Sequence, residues 1–186
     1  MDALFALQNR ASSPRLGEPG PTTNVLENIK KSALRAADHG HLRPWRFLVI
    51  EKDGRKKLGE LFVVAEKKKK EDLSEQKCEL IAKNAMRAPT ILVVIACVKD
   101  HPRIPQIEQI ISAGAAAQNM LTAAYAQGLG AIWRTGDLAY DAICSAGLGL
   151  AVNEQIVGFL YLGATPNDRD LKVQKMNTDD YFKCWP

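Results

Sequence analysis

This sequence predicts a fold in which helices and strands alternate along one chain, and three observations carry that reading. The run from Thr90 to Val98 is apolar throughout and rich in branched residues, as expected of a strand covered on both faces. Phe47–Ile50 and Ile156–Leu162 have the same character, the second ending at Gly163. Between them apolar residues recur at helical spacing, and the longest such stretch runs from Gln106 to Gln127. Alternation of this kind, taken alone, points to a parallel, doubly wound sheet.

In chain order, Asp2–Asn9 reads as a short helix and Ser12–Thr23, with Pro14, Pro19 and Pro21, as turns. Asn24 followed by Glu27 is a helix-start signal, after which Val25, Ile29, Ala33 and Ala36 form a buried stripe in a helix ending near Asp38. Asp53-Gly54 is the expected turn after the first strand. Arg55 to Met86 is helical and heavily charged. Its basic run Lys67–Lys70 lies among Glu66, Glu71 and Asp72, which partly cancel its field, so a solvated helix face or a mobile loop is preferred to an anion-binding patch. Gly114-Ala115-Ala116-Ala117, at the middle of the long helix, allows another backbone or a flat ligand to approach closely. Gly128 and Gly130 read as the end of that helix. The tail from Thr165 to Pro186 has neither period and is expected to lie extended over a neighbour. No repeat or linker divides the chain, so one domain over residues 1–186 is expected.

A chain of 186 residues, 46% hydrophobic and 25% charged, suffices for one full-sized core. Twenty-five Lys and Arg against 21 Asp and Glu leave a net charge of +4, a small excess for a nucleic-acid partner. No finger-type Cys/His spacing or aromatic-rich RNA motif supplements it. No membrane span is expected either: the longest apolar region, Ile110–Ala126, is interrupted by Ser112, Gln118, Asn119 and Thr122. Cys78, Cys97, Cys144 and Cys184 form no C-x-x-C and read as reduced, structural thiols of a cytoplasmic protein without a signal peptide.

The chemistry-bearing residues gather at element ends. Leu42-Arg43-Pro44-Trp45 and Ala131-Ile132-Trp133-Arg134-Thr135-Gly136 each set an aromatic beside an arginine. Asn9-Arg10-Ala11-Ser12 and the stretch from Arg35 to His39 add cations and a hydroxyl. Arginine offers a planar fork that matches phosphate oxygens and stays charged. A planar ring carrying a phosphate would need these cations and a flat surface together. His39 and His41 lack a third ligand for a metal. Gly147-Leu148-Gly149 follows a helix rather than a strand, the wrong context for a dinucleotide loop. No Ser or Cys nucleophile has an evident base, and no catalytic side chain is nominated.

Six segments, in order, together resemble the nitroreductase superfamily, most of all its short bacterial YdjA-like NAD(P)H nitroreductases. They are Met1-Asp2-Ala3-Leu4, Asn9-Arg10-x-Ser12, Arg35-x-x-Asp38-His39, Arg43-Pro44-Trp45-x-Phe47, Ile132-Trp133-Arg134 and Gly158–Gly163. The resemblance covers nearly the whole chain and implies an α+β, nitroreductase-like FMN-binding fold. Its central sheet is mixed and largely antiparallel, flanked by helices, which displaces the parallel arrangement suggested by alternation.

The resemblance further implies a homodimer with FMN at the subunit interface, NAD(P)H as reductant and a small-molecule electron acceptor such as a nitroaromatic. By carry-over, Arg10, Ala11 and Ser12 lie against the phosphate and ribityl end of the flavin. Arg35 and His39 reach the flavin of the partner subunit. Trp133, Arg134 and Thr135 form the second cofactor segment, with Arg134 on the phosphate. Ala123, Ala124, Tyr125, Ala126, Gln127 and Gly128 match a nicotinamide-contact region, and Pro44 and Trp45 shape the cleft wall. Relatives commonly carry Arg-Arg-Ser where this chain has Arg10-Ala11-Ser12, and many have a basic residue where Pro14 stands. The cation facing the N1–C2 edge of the flavin is left unassigned.

Overall fold

Among the described residues four strands form the centre of the fold: β1 (Trp45–Glu51), β2 (Thr90–Cys97), β3 (Gly130–Arg134) and β4 (Glu154–Gly163). They lie in the order β1-β2-β4-β3, and every pairing is antiparallel. The structure is a computed structural model and describes residues 1–70, 72–166, 173 and 175–185. Parts of the tail expected to lie over a neighbour, residues 167–172, 174 and 186, together with Glu71, fall outside the described residues.

Among the described residues six α-helices surround the sheet: α1 (Ala3–Asn9), α2 (Thr23–Ala33), α3 (Asp53–Lys69), α4 (Glu75–Lys83), α5 (Gln106–Ala126) and α6 (Ala142–Gly147). The largely antiparallel sheet is therefore found and the parallel one is not, for reasons visible in the connections. Glu51 pairs with Thr90, so the chain leaving β1 returns to the same end of the sheet. It can do so because the segment read as one charged helix is two, broken between Lys70 and Ser74, where the Ser74 hydroxyl accepts from Lys77 N–H to start α4. The α5 crossover does join two strands of like direction, β2 and β3, but β4 lies between them.

Three smaller expectations are corrected. The first long helix starts at Thr23, capped by Thr22, and ends at Ala33 rather than near Asp38. Beyond it the Ala37 carbonyl accepts the Ser112 hydroxyl, and Asp38 leaves in an extended conformation. Asp53-Gly54 is not a turn: Lys52, at φ 48°, makes the reversal, and Asp53 stands in the first turn of α3, where a carboxylate suits the helix dipole.

Two cores sandwich the sheet. One face packs Leu92, Val94, Ala96, Leu160 and Leu162 against α2 and α5, whose Ala113, Ala116 and Ala117 allow the close approach expected of that run. The other packs Ile91, Val93, Ile95, Phe159 and Tyr161 against Leu58 and Phe62 of α3, Ala85 and Cys144 of α6. Alternate residues of each strand face alternate cores, as period-two geometry requires. No helix among the described residues is long and apolar enough to cross a membrane.

Asp141 joins α6 to α3. Its carboxylate accepts from Ile143 and Cys144 N–H and meets Lys69 Nζ at 3.0 Å. Burial pushes its pKa up, but these donors outweigh that and hold it below the usual value. The Lys67–Lys70 run otherwise lies exposed at the end of α3, where cations suit the helix dipole. Asp141→Ala removes both the cap and the Lys69 partner and should cost about 1–2 kcal/mol, read as a lowered urea midpoint at neutral pH. Gly149, at φ 71°, ends α6, so the Gly147-Leu148-Gly149 stretch is a helix stop.

Candidate functional site

Strand β3 organises the site. Its outer edge is covered by the N-terminal segment, because Ser13 N–H donates to the Ala131 carbonyl at 2.9 Å. Arg10 thus stands three residues before that anchor and Arg134 three residues after it along β3. Both side chains carry a buried nitrogen, Nη1 of Arg10 and Nε of Arg134, with no hydrogen-bond partner among the described residues. A buried donor on a cation without an acceptor is costly, and an anion supplied from outside would satisfy it.

Arg134 opens into a cavity of about 420 Å³ floored by Phe62 and Phe159, whose rings meet edge to face at 5.6 Å. Thr135, Gly136 and Leu138 line one side, Tyr161, Asn84 and Arg87 the others. The Arg134 guanidinium lies over the Tyr161 ring, 5.8 Å from its centre. Burial pushes the Tyr161 hydroxyl up in pKa, opposed by the nearby charges of Arg134 and Arg87. Two guanidiniums therefore border one pocket, and neither has an acidic partner within 4.0 Å among the described residues.

Asn84 and Arg87 were not foreseen. They sit three apart at the 3₁₀ turn Asn84–Met86, where residues i and i+3 eclipse and so present their side chains together. The available signal was Arg87 just ahead of the apolar Thr90 run, the same arginine-at-an-element-end pattern used elsewhere. It was absorbed into the charged helix.

The other nominated residues divide by sheet face. Trp133 points away from Arg134, as strand alternation demands, and packs with the α2–α5 core. Thr135 and Ser12 are exposed, Ala11 half-buried. Arg35 and His39 lie beyond α2, on the opposite side of the sheet from the Arg134 cavity. Arg35 is exposed, and His39 Nδ1 lies 2.7 Å from Glu108 Oε2 on the first turn of α5. One chain does not bring these two clusters together. Pro44 is buried and accepts from Cys97 N–H, while Trp45 opens β1 against the α2–α5 core.

Within Ala123–Gly128 the structure separates roles. Ala124 is fully buried, and Ala123 and Ala126 are half-buried. Gln127 ties α5 to α2 by donating to Val25 O and accepting from Asn28. Tyr125 and Gly128 line a second, mostly apolar cavity of about 390 Å³ with Met1, Ser13 and Arg15. Burial lifts the Cys97 thiol, aided by Glu154, and burial likewise lifts that of Cys144, each to about 11. At neutral pH both are unreactive thiols.

Comparison with known proteins agrees with this architecture. Residues 10–164 match the model of the Nitroreductase family. An Escherichia coli (strain K12) protein provisionally named NAD(P)H nitroreductase YdjA is 43% identical over 164 residues, 88% of each chain. A Haemophilus influenzae protein, also provisionally named an NAD(P)H nitroreductase, is 31% identical over 182 residues, 97% of this chain and 98% of its own. Among solved structures, a nitroreductase-like family protein from Bacillus cereus superposes with a TM-score of 0.82 at 22% identity, covering 99% of this chain and 96% of its own. A nitroreductase with bound FMN from Bacteroides fragilis gives 0.76 at 19% identity, both chains fully covered. At such identities the structural likeness is one of fold, whereas the family model and the sequence relatives settle membership: this chain belongs to the Nitroreductase family.

Proposed function

We propose that the protein is an FMN-dependent oxidoreductase, passing hydride from NADH or NADPH to a small acceptor such as a nitroaromatic in ping-pong order. The observation that carries this reading is the pair of partnerless buried nitrogens on Arg10 and Arg134, the second of which lines a pocket whose described lining residues include no acid. These cations suit an anionic cofactor, and the Escherichia coli relative is named for NAD(P)H-dependent chemistry. FMN, when bound, supplies the hydride relay; the protein supplies position and charge. Arg10 and Ser12 hold the phosphate and ribityl end with Arg134. Arg87, which lines the same cavity as Arg134, would supply the cation that Ala11 and Pro14 do not, and Asn84 would offer the ring a hydrogen bond. Protons come from solvent, consistent with two unreactive thiols and no nominated acid or base.

The working unit is a homodimer of single-domain chains in the cytoplasm, without nucleic-acid or membrane partners. Its support is the placement of Arg35 and His39 across the sheet from Arg134, together with exposed Leu4, Phe5 and Leu7 on α1 and Ile107 and Ile111 on α5. The test is spectroscopic. Purified or FMN-reconstituted protein should be yellow, release FMN rather than FAD on denaturation, and bleach with NADH or NADPH. Release of FAD, or no flavin after reconstitution, would overturn the assignment. A yellow protein that neither nicotinamide bleaches would instead be a non-catalytic FMN carrier.

A further inference from the structure

We propose that Glu108 is a positioning residue whose carboxylate fixes the tautomer and direction of the His39 imidazole. His39 Nε2 is thereby presented to the flavin of the partner subunit. The inference rests on the reading that His39 serves a shared FMN site, while its bond to Glu108 lies within one chain.

The segment that carries His39 is fastened to α5 at two points in step. Glu108 and Ser112 are four residues apart and so share one face of the helix. The Ser112 hydroxyl donates to the Ala37 carbonyl, and Glu108 Oε2 lies 2.7 Å from His39 Nδ1. Between those two residues Asp38 is extended, at φ −144° and ψ 103°. Two extended steps rise about 6.6 Å, near the roughly 5.4 Å of one helical turn, so both bonds form at once. The loop beyond is held as well. Gly40, at φ 70°, lies against Ile104, whose Cδ1 a Cβ would meet at 2.5 Å. Lys99 Nζ donates to the Leu42 carbonyl, and Asp38 Oδ2 accepts from Arg43 N–H at 2.7 Å. With the backbone tied on both sides, the His39 ring keeps only its two side-chain torsions, and Glu108 removes that freedom.

A carboxylate only accepts, so this bond puts a proton on His39 Nδ1 whether the ring is neutral or charged. Nε2 is left as the outward nitrogen. It accepts from a hydroxyl, such as one of a ribityl chain, when the ring is neutral, and donates when it is charged. The two side chains are 63% and 44% exposed, which leaves the pair little to contribute to stability. They stand beside Ile107 and Ile111, exposed apolar residues of the face read as the subunit interface.

The test has two arms. In apoprotein carrying isotope-labelled histidine, the ring nitrogen shifts report the tautomer directly, and the chain has only three histidines. Above neutral pH, parent His39 should hold its proton on Nδ1, and Glu108→Ala should move it to Nε2, the tautomer that water favours. The second arm is FMN titration of the parent, His39→Ala, Glu108→Ala, Glu108→Gln and the double alanine variant, with thermal unfolding of each apoprotein. His39→Ala should weaken binding about tenfold and Glu108→Ala about fivefold, with little change in unfolding temperature. The double variant should be no worse than His39→Ala. Glu108→Gln, whose amide oxygen still accepts from Nδ1–H, should recover most of the loss.

Parent-like affinity in Glu108→Ala, with His39→Ala impaired, would overturn the proposal alone. So would a parent His39 protonated on Nε2 only, or losses that simply add in the double variant, which would mean that Glu108 acts independently of His39. A parent that binds no FMN, or a His39→Ala protein that binds it normally, would overturn the shared-site reading and this inference with it.

Discussion

Arg134→Ala is expected to raise the FMN dissociation constant more than tenfold while leaving the apoprotein nearly as stable as before. The first effect follows from losing a charge-assisted hydrogen bond to an anion, worth about 1.5–3 kcal/mol. The second follows from a cancellation. Arg134 Nε is buried without a partner among the described residues, a penalty of about 1–3 kcal/mol, whereas its guanidinium gains about 0.5–2 kcal/mol over Tyr161. A side chain that weakens or barely supports its own fold, yet carries binding, has the energetic profile of a site residue. Fluorescence titration and thermal unfolding, run beside Lys68→Ala at an exposed position, separate the two quantities. Equal loss of affinity in both variants would mean that the phosphate lies elsewhere.

The largest expected loss of stability is at Glu154. Its carboxylate takes two bonds from Arg46, at 2.7 and 2.6 Å, and accepts from Ala151 N–H and the Cys97 thiol. Arg46 in turn donates to Gly149 O, so one ion pair ties β1, β2 and β4 to the end of α6. The Glu154 side chain is 12% exposed and that of Arg46 34%. With Arg46 partly in water, Glu154→Ala should cost about 3 kcal/mol, the low end for breaking a buried pair. The pH dependence has a definite sign. The Arg46 hydrogen bonds lower the Glu154 pKa from 4.5 to about 2. Its contribution is complete above pH 4.5 and disappears as the pH falls toward 2. Urea midpoints of the parent and the variant should therefore differ most near neutrality and converge in acid. A gap that stays constant down to pH 2 would mean that packing, not charge, is what the substitution removes.

What the sequence disclosed depended on whether its signals were local. Helix α5 was legible to within a residue at its C-terminus because periodicity and the stop at Gly128, which adopts φ 83°, agree. Strand β2 was equally plain, since a strand buried on both faces is apolar at every position. The break at Lys70–Ser74 was hidden because the charge pattern of α3 continues into α4. That single omission was enough to make an antiparallel sheet look parallel. Asn84 and Arg87 lie some fifty residues before Arg134, and only the strand order brings them to one cavity. Spacing also says nothing about which face of a sheet a loop residue will occupy, so the division between Arg35–His39 and Arg134 was beyond its reach.

That division has a genetic consequence. If FMN is shared between subunits, each site takes Arg134 from one chain and His39 from the other. A chain with Arg134→Ala and a chain with Arg35→Ala plus His39→Ala would each form dimers with two damaged sites. Produced together, they also form mixed dimers, in which one site collects every lesion and the other collects none. Under random pairing about a quarter of all sites would be whole. Two inactive alleles could then complement one another, an outcome closed to any protein whose site is built from a single chain.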